Sequence, residues 1–344
     1  MNQSILLDTI RGMPHARPPV WFMRQAGRTL PYYQKLRKQY TFREIMDNPE
    51  LAASVTLEPV EQLGVDGAIV FTDILIVADA LGMKTDFGKK GPTLNFSLQE
   101  ARDPHKLLSR QTEKFETVAK TIELVRKNKP SDIPVIGFTG APLTVLSYML
   151  KGRGSNNDFT DLAQYLYDKP DSFERLMETV TEITIAYALA QADAGINIFQ
   201  VFDTHAGALP WKVYSRMCLP YVSRIIQAVR SKDVPVIFFP KGIGLGYTQI
   251  NHSLTDYLSV DWQTNLDQFS ETKDRRLGLQ GNIDPRLLLA DQAHIEEKLN
   301  EYLEFGRKEK GWIFNLGHGI LPQTPLENIR FVVDWVKSVD WQRP

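Results

Sequence analysis

The sequence predicts an α/β protein whose 344 residues fold as one (β/α)8 barrel, or TIM barrel, with a single domain over residues 1–344. Eight short runs are rich in apolar, strand-forming residues, and each is nearly continuously apolar rather than alternating. Such runs are typical of parallel strands that are buried on both faces. Helix-like segments separate most of them, which favours a closed barrel. A doubly wound open sheet is the structural alternative.

The elements follow one another along the whole chain. The predicted strands are Val20–Met23, Gly67–Phe71, Pro134–Phe138, Ile196–Phe202, Pro235–Phe239, Leu258–Trp262, Leu277–Gln280 and Trp312–Asn315. The predicted helices are Pro49–Leu63, Thr112–Asn128, Phe173–Ala194, Trp211–Ser231, Ala293–Arg307 and Pro325–Ser338. Gly64 and Gly195 directly follow two of these helices, where glycine suits the end of a helix. Segment Lys84–Gln99 predicts a loop or hairpin insertion, and Lys151–Asn157 predicts a mobile surface loop.

Composition excludes several classes of protein. The 40 Lys and Arg balance the 41 Asp and Glu to a net charge of −1, which argues against a nucleic-acid partner. Cys218 is the single cysteine, so no intrachain disulfide or multi-cysteine zinc site is possible. Met1–Ile10 lacks the pattern of a secretory signal, and the most apolar stretch, Ile69–Met83, is too short and too charged to span a membrane. We therefore expect a cytoplasmic protein without a membrane partner.

Polar residues and glycines follow the ends of nearly all the predicted strands. Active sites of (β/α)8 barrels lie at the C-terminal ends of their strands, so this clustering predicts an enzyme. The candidates, in chain order, are Arg24, Gln25, Arg28, Asp73, Thr204, His205, Lys241 and His318.

The motif FMRQAGR carries the most informative candidates. It places Arg24 and Arg28 four residues apart, and Arg37 adds a third cation. Guanidinium groups bind carboxylates bidentately and stay charged at any working pH. The motif therefore predicts a ligand with several carboxylates or phosphates. Two solvated surface arginines are the alternative, but the strand end and the neighbouring Gly27 favour a ligand site.

Asp73 ends the very apolar run AIVFTDILIV. A carboxylate there is costly unless it is paired or hydrogen-bonded, so Asp73 either caps the following helix or serves the site. The arginines favour the second reading. His318, between glycines in NLGHGI, either faces a ligand or bonds the loop backbone, whereas a structural role is favoured for His205 in DTHAG.

Other chemistries lack their motifs. The sequence contains no GxGxxG after a strand, no GxxxxGK[ST] and no HExxH. Cys218 falls in MCLPYV within a predicted helix, where a small packed residue is a better interpretation than a nucleophile.

Several motifs resemble those of the uroporphyrinogen decarboxylase family. They are PPVWFMRQAGR, FTDIL, GFTGAPLTVLSYMLKGRGS, FDTHAG, GNIDP and NLGHGI, and they appear in the family's order over nearly the whole chain. The resemblance implies a (β/α)8 barrel, a homodimer and no metal or organic cofactor. It implies a carboxy-lyase that removes CO2 from the four acetate side chains of uroporphyrinogen III, giving coproporphyrinogen III in haem biosynthesis. Thr29, Tyr32 and Lys151 depart from the residues usual in the family.

The resemblance also implies roles for individual residues. Asp73, Arg24 and Arg28 are expected to carry catalysis, with Asp73 bound to the pyrrole N–H groups at the centre of the substrate. The substrate-binding residues are expected to be Arg24, Gln25, Arg28, Arg37, Asp73, Tyr148, Phe202, Thr204 and His318. Among these, the arginines would hold carboxylates and Phe202 would pack against the macrocycle.

Two other functions would use the same barrel. A corrinoid-linked methyltransferase needs zinc held by His and Cys, and no His-x-Cys pattern accompanies Cys218. A non-catalytic tetrapyrrole carrier would need the arginines and an apolar cleft, but it would not need a carboxylate at the centre of the ring. Asp73 is therefore the residue that separates an enzyme from a carrier.

Overall fold

The structure is a computed structural model that describes residues 4–88, 91–152 and 159–342. Its strands are β1 (Ala68–Ile69), β2 (Thr85–Gly88), β3 (Gly91–Leu94), β4 (Val135–Gly140), β5 (Ile198–Asp203), β6 (Val236–Pro240), β7 (Tyr257–Ser259), β8 (Gly278–Ile283) and β9 (Trp312–Leu316). Seven of them form one parallel sheet in the order β1-β4-β5-β6-β7-β8-β9. Every residue of β4, β8 and β9 is buried, as the apolar runs predict. The curled parallel sheet confirms the predicted fold class.

The segment before β1 differs from the prediction. Val20–Met23 was expected to be a strand, but Val20 alone pairs, in a parallel bridge to β9. The Val20 carbonyl also accepts a hydrogen bond from the N–H of Asp66, just before β1. The N–H of Trp21 completes this bridge by donating to the carbonyl of Phe314, whereas the next two N–H groups, of Phe22 and Met23, bond side-chain oxygens of Gln25 and Asn315. The ladder therefore ends after one residue, although the segment still lies between β9 and β1.

The helices surround the sheet. They are α1 (Ile5–Ile10), α2 (Pro31–Arg37), α3 (Phe42–Met46), α4 (Pro49–Leu63), α5 (Ile76–Asp79), α6 (Phe115–Asn128), α7 (Pro142–Lys151), α8 (Thr160–Asp168), α9 (Pro170–Ala194), α10 (Trp211–Met217), α11 (Leu219–Arg230), α12 (Leu266–Thr272), α13 (Gln292–Asn300), α14 (Leu303–Lys308) and α15 (Leu326–Ser338). Short 3-10 turns cover Pro104–Leu107, Thr112–Lys114, Ala206–Ala208, Gly244–Gln249 and Pro285–Leu289.

Two predicted helices are each divided in the structure. Trp211–Ser231 breaks at Cys218, because Pro220 lacks an N–H and its ring clashes with the preceding turn, so a new helix begins at Leu219. Ala293–Arg307 is likewise split into α13 and α14. The helices that end before Gly64 and Gly195 are confirmed, and both glycines adopt the left-handed conformation.

The insertion predicted at Lys84–Gln99 contains an antiparallel hairpin of β2 and β3. Its second strand is fastened to the end of α7, because the N–H of Leu94 donates to the carbonyl of Gly152. The mobile loop predicted at Lys151–Asn157 lies mostly outside the described residues. Lys151 itself ends α7 and forms an ion pair of 3.2 Å with Asp161.

A single domain over residues 1–344 stays a prediction, which one cooperative unfolding transition would support. Within the described ranges, no helix is long and apolar enough to cross a membrane.

Candidate active site

Asp73 and Arg24 lie close together at the C-terminal end of the sheet. Burial raises the pKa of the Asp73 carboxyl to about 6, against the opposing effects of a hydrogen bond and of the Arg24 charge. One carboxylate oxygen accepts a 2.8 Å hydrogen bond from the N–H of Leu75. The side chain therefore caps the following turn and still presents a partly exposed carboxylate beside a cation. The hydrogen bond accounts for the local turn, and a role of Asp73 towards a ligand stays a prediction.

The backbone at Arg24 directs its side chain across the loop that carries His318. Arg24 has a φ of 63°, in the left-handed region that residues other than glycine rarely adopt. Its aliphatic stem lies against Gly319, where an added Cβ would be only 2.4 Å from Arg24 Cδ. The guanidinium is exposed, and it forms no ion pair with any carboxylate that the structure describes. A charge held in this way is available to an anionic ligand.

This packing makes Gly319→Ala a test of where Arg24 must point. The new methyl group would displace the Arg24 stem, and we expect KM to rise about tenfold, because small misplacements of a positioning group are costly. Gly319 is not in the left-handed region, so alanine fits its backbone. Gly311→Ala, at the opposite end of β9, is the control, because its Cβ would meet nothing closer than 3.5 Å. Steady-state kinetics of the two variants decide the point, and equal KM values would contradict it.

Arg28 and Arg37 extend the positive charge on the same side. Both guanidinium groups favour the ionised form of the Tyr33 hydroxyl, although burial dominates and raises its pKa. Arg37 is partly committed, because its Nη1 donates a 2.7 Å hydrogen bond to the carbonyl of Tyr40. Arg28 is exposed. Neither side chain forms an ion pair with a carboxylate of the described part of the chain.

Gln25 does not join these residues. Its side chain is fully buried, its Oε1 accepts from the N–H of Phe22 at 3.0 Å, and its Nε2 donates to the carbonyl of Gly67 at 2.8 Å. Both ends of the amide are therefore bound to main chain, and they tie the arginine loop to β1. The structure thus gives Gln25 a supporting role, and its contact with substrate stays a prediction.

Tyr148 reaches the site from α7. Burial and the nearby Asp73 charge both raise the pKa of its hydroxyl. Its ring stacks on His205 at 5.2 Å between centroids and 24° between planes. His205 is buried and shares a 2.6 Å hydrogen bond with Ser147, and burial lowers its pKa to about 4. Neutral His205 thus holds the Tyr148 ring, in keeping with the structural role favoured for it. Thr204 follows β5 and is partly exposed beside them.

Aromatic rings lie at the same end of the sheet, and Phe202, Trp262 and His318 are partly exposed there, whereas Phe239 is fully buried. Phe202 lies edge-on to Phe138 at 5.5 Å and to Phe239 at 6.2 Å. His318 stacks on Trp262 at 6.2 Å and 19°, and it lies 6.2 Å from Phe239. Burial first, and the neighbouring cations second, lower the pKa of His318 to about 3. The imidazole is therefore neutral at neutral pH and can contact a ligand through hydrogen bonds.

Trp262 and Phe239 were not among the candidates from sequence. Both fell inside predicted strands, where an apolar residue predicts core packing and nothing more. The sixth predicted run, Leu258–Trp262, forms a strand only within Tyr257–Ser259, so Trp262 lies beyond the strand end. Position within the run was the one available signal for Trp262, because residues at the C-terminal limit of a run can reach the mouth of the barrel. Phe239 stays fully buried.

Among the described residues, no three His, Cys, Asp or Glu side chains are placed to hold a metal ion. Cys218 is fully buried between α10 and α11, and burial raises the pKa of its thiol. The thiol therefore stays protonated, a form that does not bind zinc well.

Comparison with known proteins identifies the family of this chain. The family model described as uroporphyrinogen decarboxylase (URO-D) matches residues 1–339. A uroporphyrinogen decarboxylase of Syntrophotalea carbinolica is 41% identical over 96% of this chain and 96% of its own length. One from Pelobacter propionicus is 40% identical over 97% of this chain and 98% of its own. A solved methyltransferase from Methanosarcina mazei has a TM-score of 0.75 at 21% identity, covering 97% of this chain and 98% of the other, and this likeness concerns the fold. The family match and the full-length identities show that the chain belongs to the uroporphyrinogen decarboxylase family.

Proposed function

We propose that this chain catalyses the cofactor-independent decarboxylation of uroporphyrinogen III to coproporphyrinogen III. The observation that carries the proposal is the proximity of a partly exposed Asp73 carboxylate to the Arg24 charge, at the same end of the sheet as the stacked rings of Trp262 and His318. A polycarboxylate needs cations that no protein carboxylate neutralises, and Arg24 and Arg28 meet that requirement. A macrocycle with pyrrole N–H groups at its centre needs an acceptor, and Asp73 provides one.

The substrate supplies its own electron sink. Protonation of the pyrrole ring carbon beside an acetate creates a cation, into which the electrons of the breaking C–C bond can flow as CO2 leaves. The resulting exocyclic methylene carbon takes up a proton, and the ring loses the first one. Each acetate thus becomes a methyl group with net consumption of one proton. Four repetitions convert the octacarboxylate into the tetracarboxylate product.

Asp73 would stabilise the cation as it forms. An ionised carboxylate in a partly buried site acts strongly on a nearby positive charge, because little water screens it. Hydrogen bonds from several pyrrole N–H groups would favour the ionised form of Asp73 and lower its pKa in the complex. We propose that Arg24 or Arg28 holds the reacting acetate. Arginine is a poor proton donor because of its high pKa, so we assign the proton to a water or to the substrate's own carboxyl.

The pKa of Asp73 predicts the acid side of the pH profile. In the free enzyme burial raises this pKa to about 6, so kcat/KM should fall as the pH drops below about 6 with the uptake of one proton. In the complex the N–H donors lower the pKa, so kcat should hold to a more acidic pH than kcat/KM. Initial rates of the first decarboxylation between pH 5 and 8 test both statements. A value of kcat/KM that stays constant down to pH 5 would contradict them.

Anaerobic incubation with uroporphyrinogen III tests the function itself. After oxidation, chromatography should resolve products with seven, six, five and then four carboxyl groups, without added metal or cofactor. Heat-inactivated protein is the control for spontaneous loss of CO2. If folded protein binds the substrate but leaves all eight carboxyls in place, the chain is a tetrapyrrole carrier.

Methyltransferase activity is the second candidate function, because the chain shares its fold with the solved methyltransferase from Methanosarcina mazei. Zinc enzymes of that kind use a thiolate ligand. Cys218 is buried with a raised thiol pKa, so this chain lacks a suitable ligand. Its residues fit the decarboxylase better.

We also propose that the protein is a homodimer and that it is located in the cytoplasm. The family resemblance implies a homodimer, and the sequence suits the cytoplasm. Light scattering of the purified protein should give twice the mass of one chain, and a mass equal to one chain would refute the dimer. Fractionation of cells that produce the protein tests its location.

A further inference from the structure

Lys241 is a cation at the mouth of the barrel that the proposed mechanism does not use. It directly follows β6, and its main chain is held on both sides: its N–H donates to the carbonyl of Asp203 at 3.0 Å, and its carbonyl accepts from the N–H of Gly207 at 2.9 Å. The side chain is partly exposed. Its position is thus set by the neighbouring strand, while its ammonium group projects beyond the sheet.

The ammonium group lies over an aromatic ring instead of a carboxylate. Lys241 Nζ is 5.3 Å from the centroid of Trp262, whose ring in turn stacks on His318. Within the described ranges, no carboxylate forms an ion pair with Lys241. Arg286 also lies over Trp262, at 5.7 Å, but Asp284 neutralises it through an ion pair of 2.6 Å. Lys241 is therefore the uncompensated cation on this ring.

The order of the strands places Lys241 opposite Arg24. The segment at Val20 bridges to β9 and lies before β1, so it occupies the remaining place between the two ends of the seven-stranded sheet. Counted around the mouth, β6 is then four places from that segment in either direction. The charge of Lys241 also lowers the pKa of both His205 and His318, so Lys241 lies near both imidazoles.

We propose that Lys241, supported on the ring of Trp262, binds a peripheral carboxylate of the tetrapyrrole on the side opposite the acetate held at Arg24. This inference rests on the proposed function, because a porphyrinogen carries carboxylates around its whole edge. Asp73 holds the centre of the macrocycle, the arginines hold one side, and Lys241 holds the other. A two-sided grip fixes the rotation of the ring about Asp73, and hence selects which acetate meets Arg24.

Neutral variants of Lys241 test the proposal. Lys241→Met keeps a stem that packs on Trp262 but removes the charge, and Lys241→Gln is a second neutral form. We expect kcat/KM for the first decarboxylation to fall about 10-fold to 100-fold, chiefly through KM, as is typical for loss of a charge-assisted bond. Lys241→Arg should restore most of it. Lys232→Gln is the matched control, because Lys232 lies before the opposite end of β6 and pairs with Asp193.

Product inhibition identifies the carboxylate. Coproporphyrinogen retains only propionates, so weaker inhibition of Lys241→Met by this product assigns Lys241 to a propionate. Unchanged inhibition, with a raised KM for uroporphyrinogen, assigns it to an acetate. Either result supports the proposal. Wild-type kcat/KM in both neutral variants would overturn it.

A failure of the proposed decarboxylase function can be distinguished from a failure of the proposal for Lys241. If the wild-type chain releases no CO2, equilibrium binding of uroporphyrinogen still decides the role of Lys241. A Kd about tenfold weaker in Lys241→Met supports a carboxylate contact, and an equal Kd overturns it. Thermal unfolding of each variant shows that the protein measured is folded.

Discussion

Replacing Asp73 with asparagine is expected to lower kcat by about three orders of magnitude, while the substrate still binds. Asparagine keeps an oxygen that can accept the 2.8 Å hydrogen bond from Leu75, so the turn is preserved. It lacks the negative charge that would stabilise the protonated pyrrole. Rates of the first decarboxylation at saturating substrate, with binding measured in parallel, test this expectation. Turnover within tenfold of the wild type would refute the role of Asp73.

The stability of Asp73→Asn shows whether a loss of activity in this variant comes from catalysis or from folding. Burial raises the pKa of Asp73 in the folded protein to about 6, above its ordinary value of 3.8. A raised carboxyl pKa means that the ionised form costs stability. The cost is fully present above about pH 6 and disappears as the pH falls below about 4. Asp73→Asn should therefore be at least as stable as the wild type at pH 7, and the difference should shrink towards pH 4. Denaturant unfolding at the two pH values measures it.

Replacing Gln25 with leucine is expected to lower the free energy of unfolding by about 2–6 kcal/mol. The change leaves two buried main-chain groups, the N–H of Phe22 and the carbonyl of Gly67, without their partners. Each unsatisfied group costs about 1–3 kcal/mol. Urea unfolding measures the loss directly.

Gln34→Leu is the control for this prediction. The Gln34 side chain also donates to a main-chain carbonyl, that of Arg28, but it does so at the exposed surface. Water can replace that bond, so we expect a loss below about 1 kcal/mol. If Gln25→Leu instead unfolds like the wild type and raises KM, then Gln25 contacts the substrate after all.

The positions of most barrel strands could be predicted, because each strand is recognisable from its own run of apolar residues. β4, β5, β6 and β9 each coincide closely with a mainly apolar run, since strands buried on both faces are built chiefly from apolar residues. The segment at Val20–Met23 looks the same in sequence but makes one bridge. Three of its four N–H groups donate to side chains, and one of these side chains, that of Asn315, lies at the far end of the chain. No local pattern can reveal such a partner.

In the candidate site, too, some features could be predicted from local sequence and others depend on contacts between distant residues. The proximity of Arg24 to Asp73 and to His318 could be predicted because parallel strands bring their C-terminal ends to one face. The hydrogen bonds of Gln25 could not be predicted, because its side chain is directed by the carbonyl of Gly67, the residue just before β1. The contact between Lys241 and Trp262 also arises only when β6 and β7 are neighbours.

By itself, the sequence determined the fold class, the positions of most strands and the residue types at their ends, because these depend on apolar periodicity and on local composition. Only the tertiary structure decided which of the candidate polar side chains are hydrogen-bonded to the main chain, as Gln25 is. It also decided that burial brings the pKa of Asp73 to about 6. Both outcomes depend on groups that are distant in the chain and become neighbours when the barrel forms.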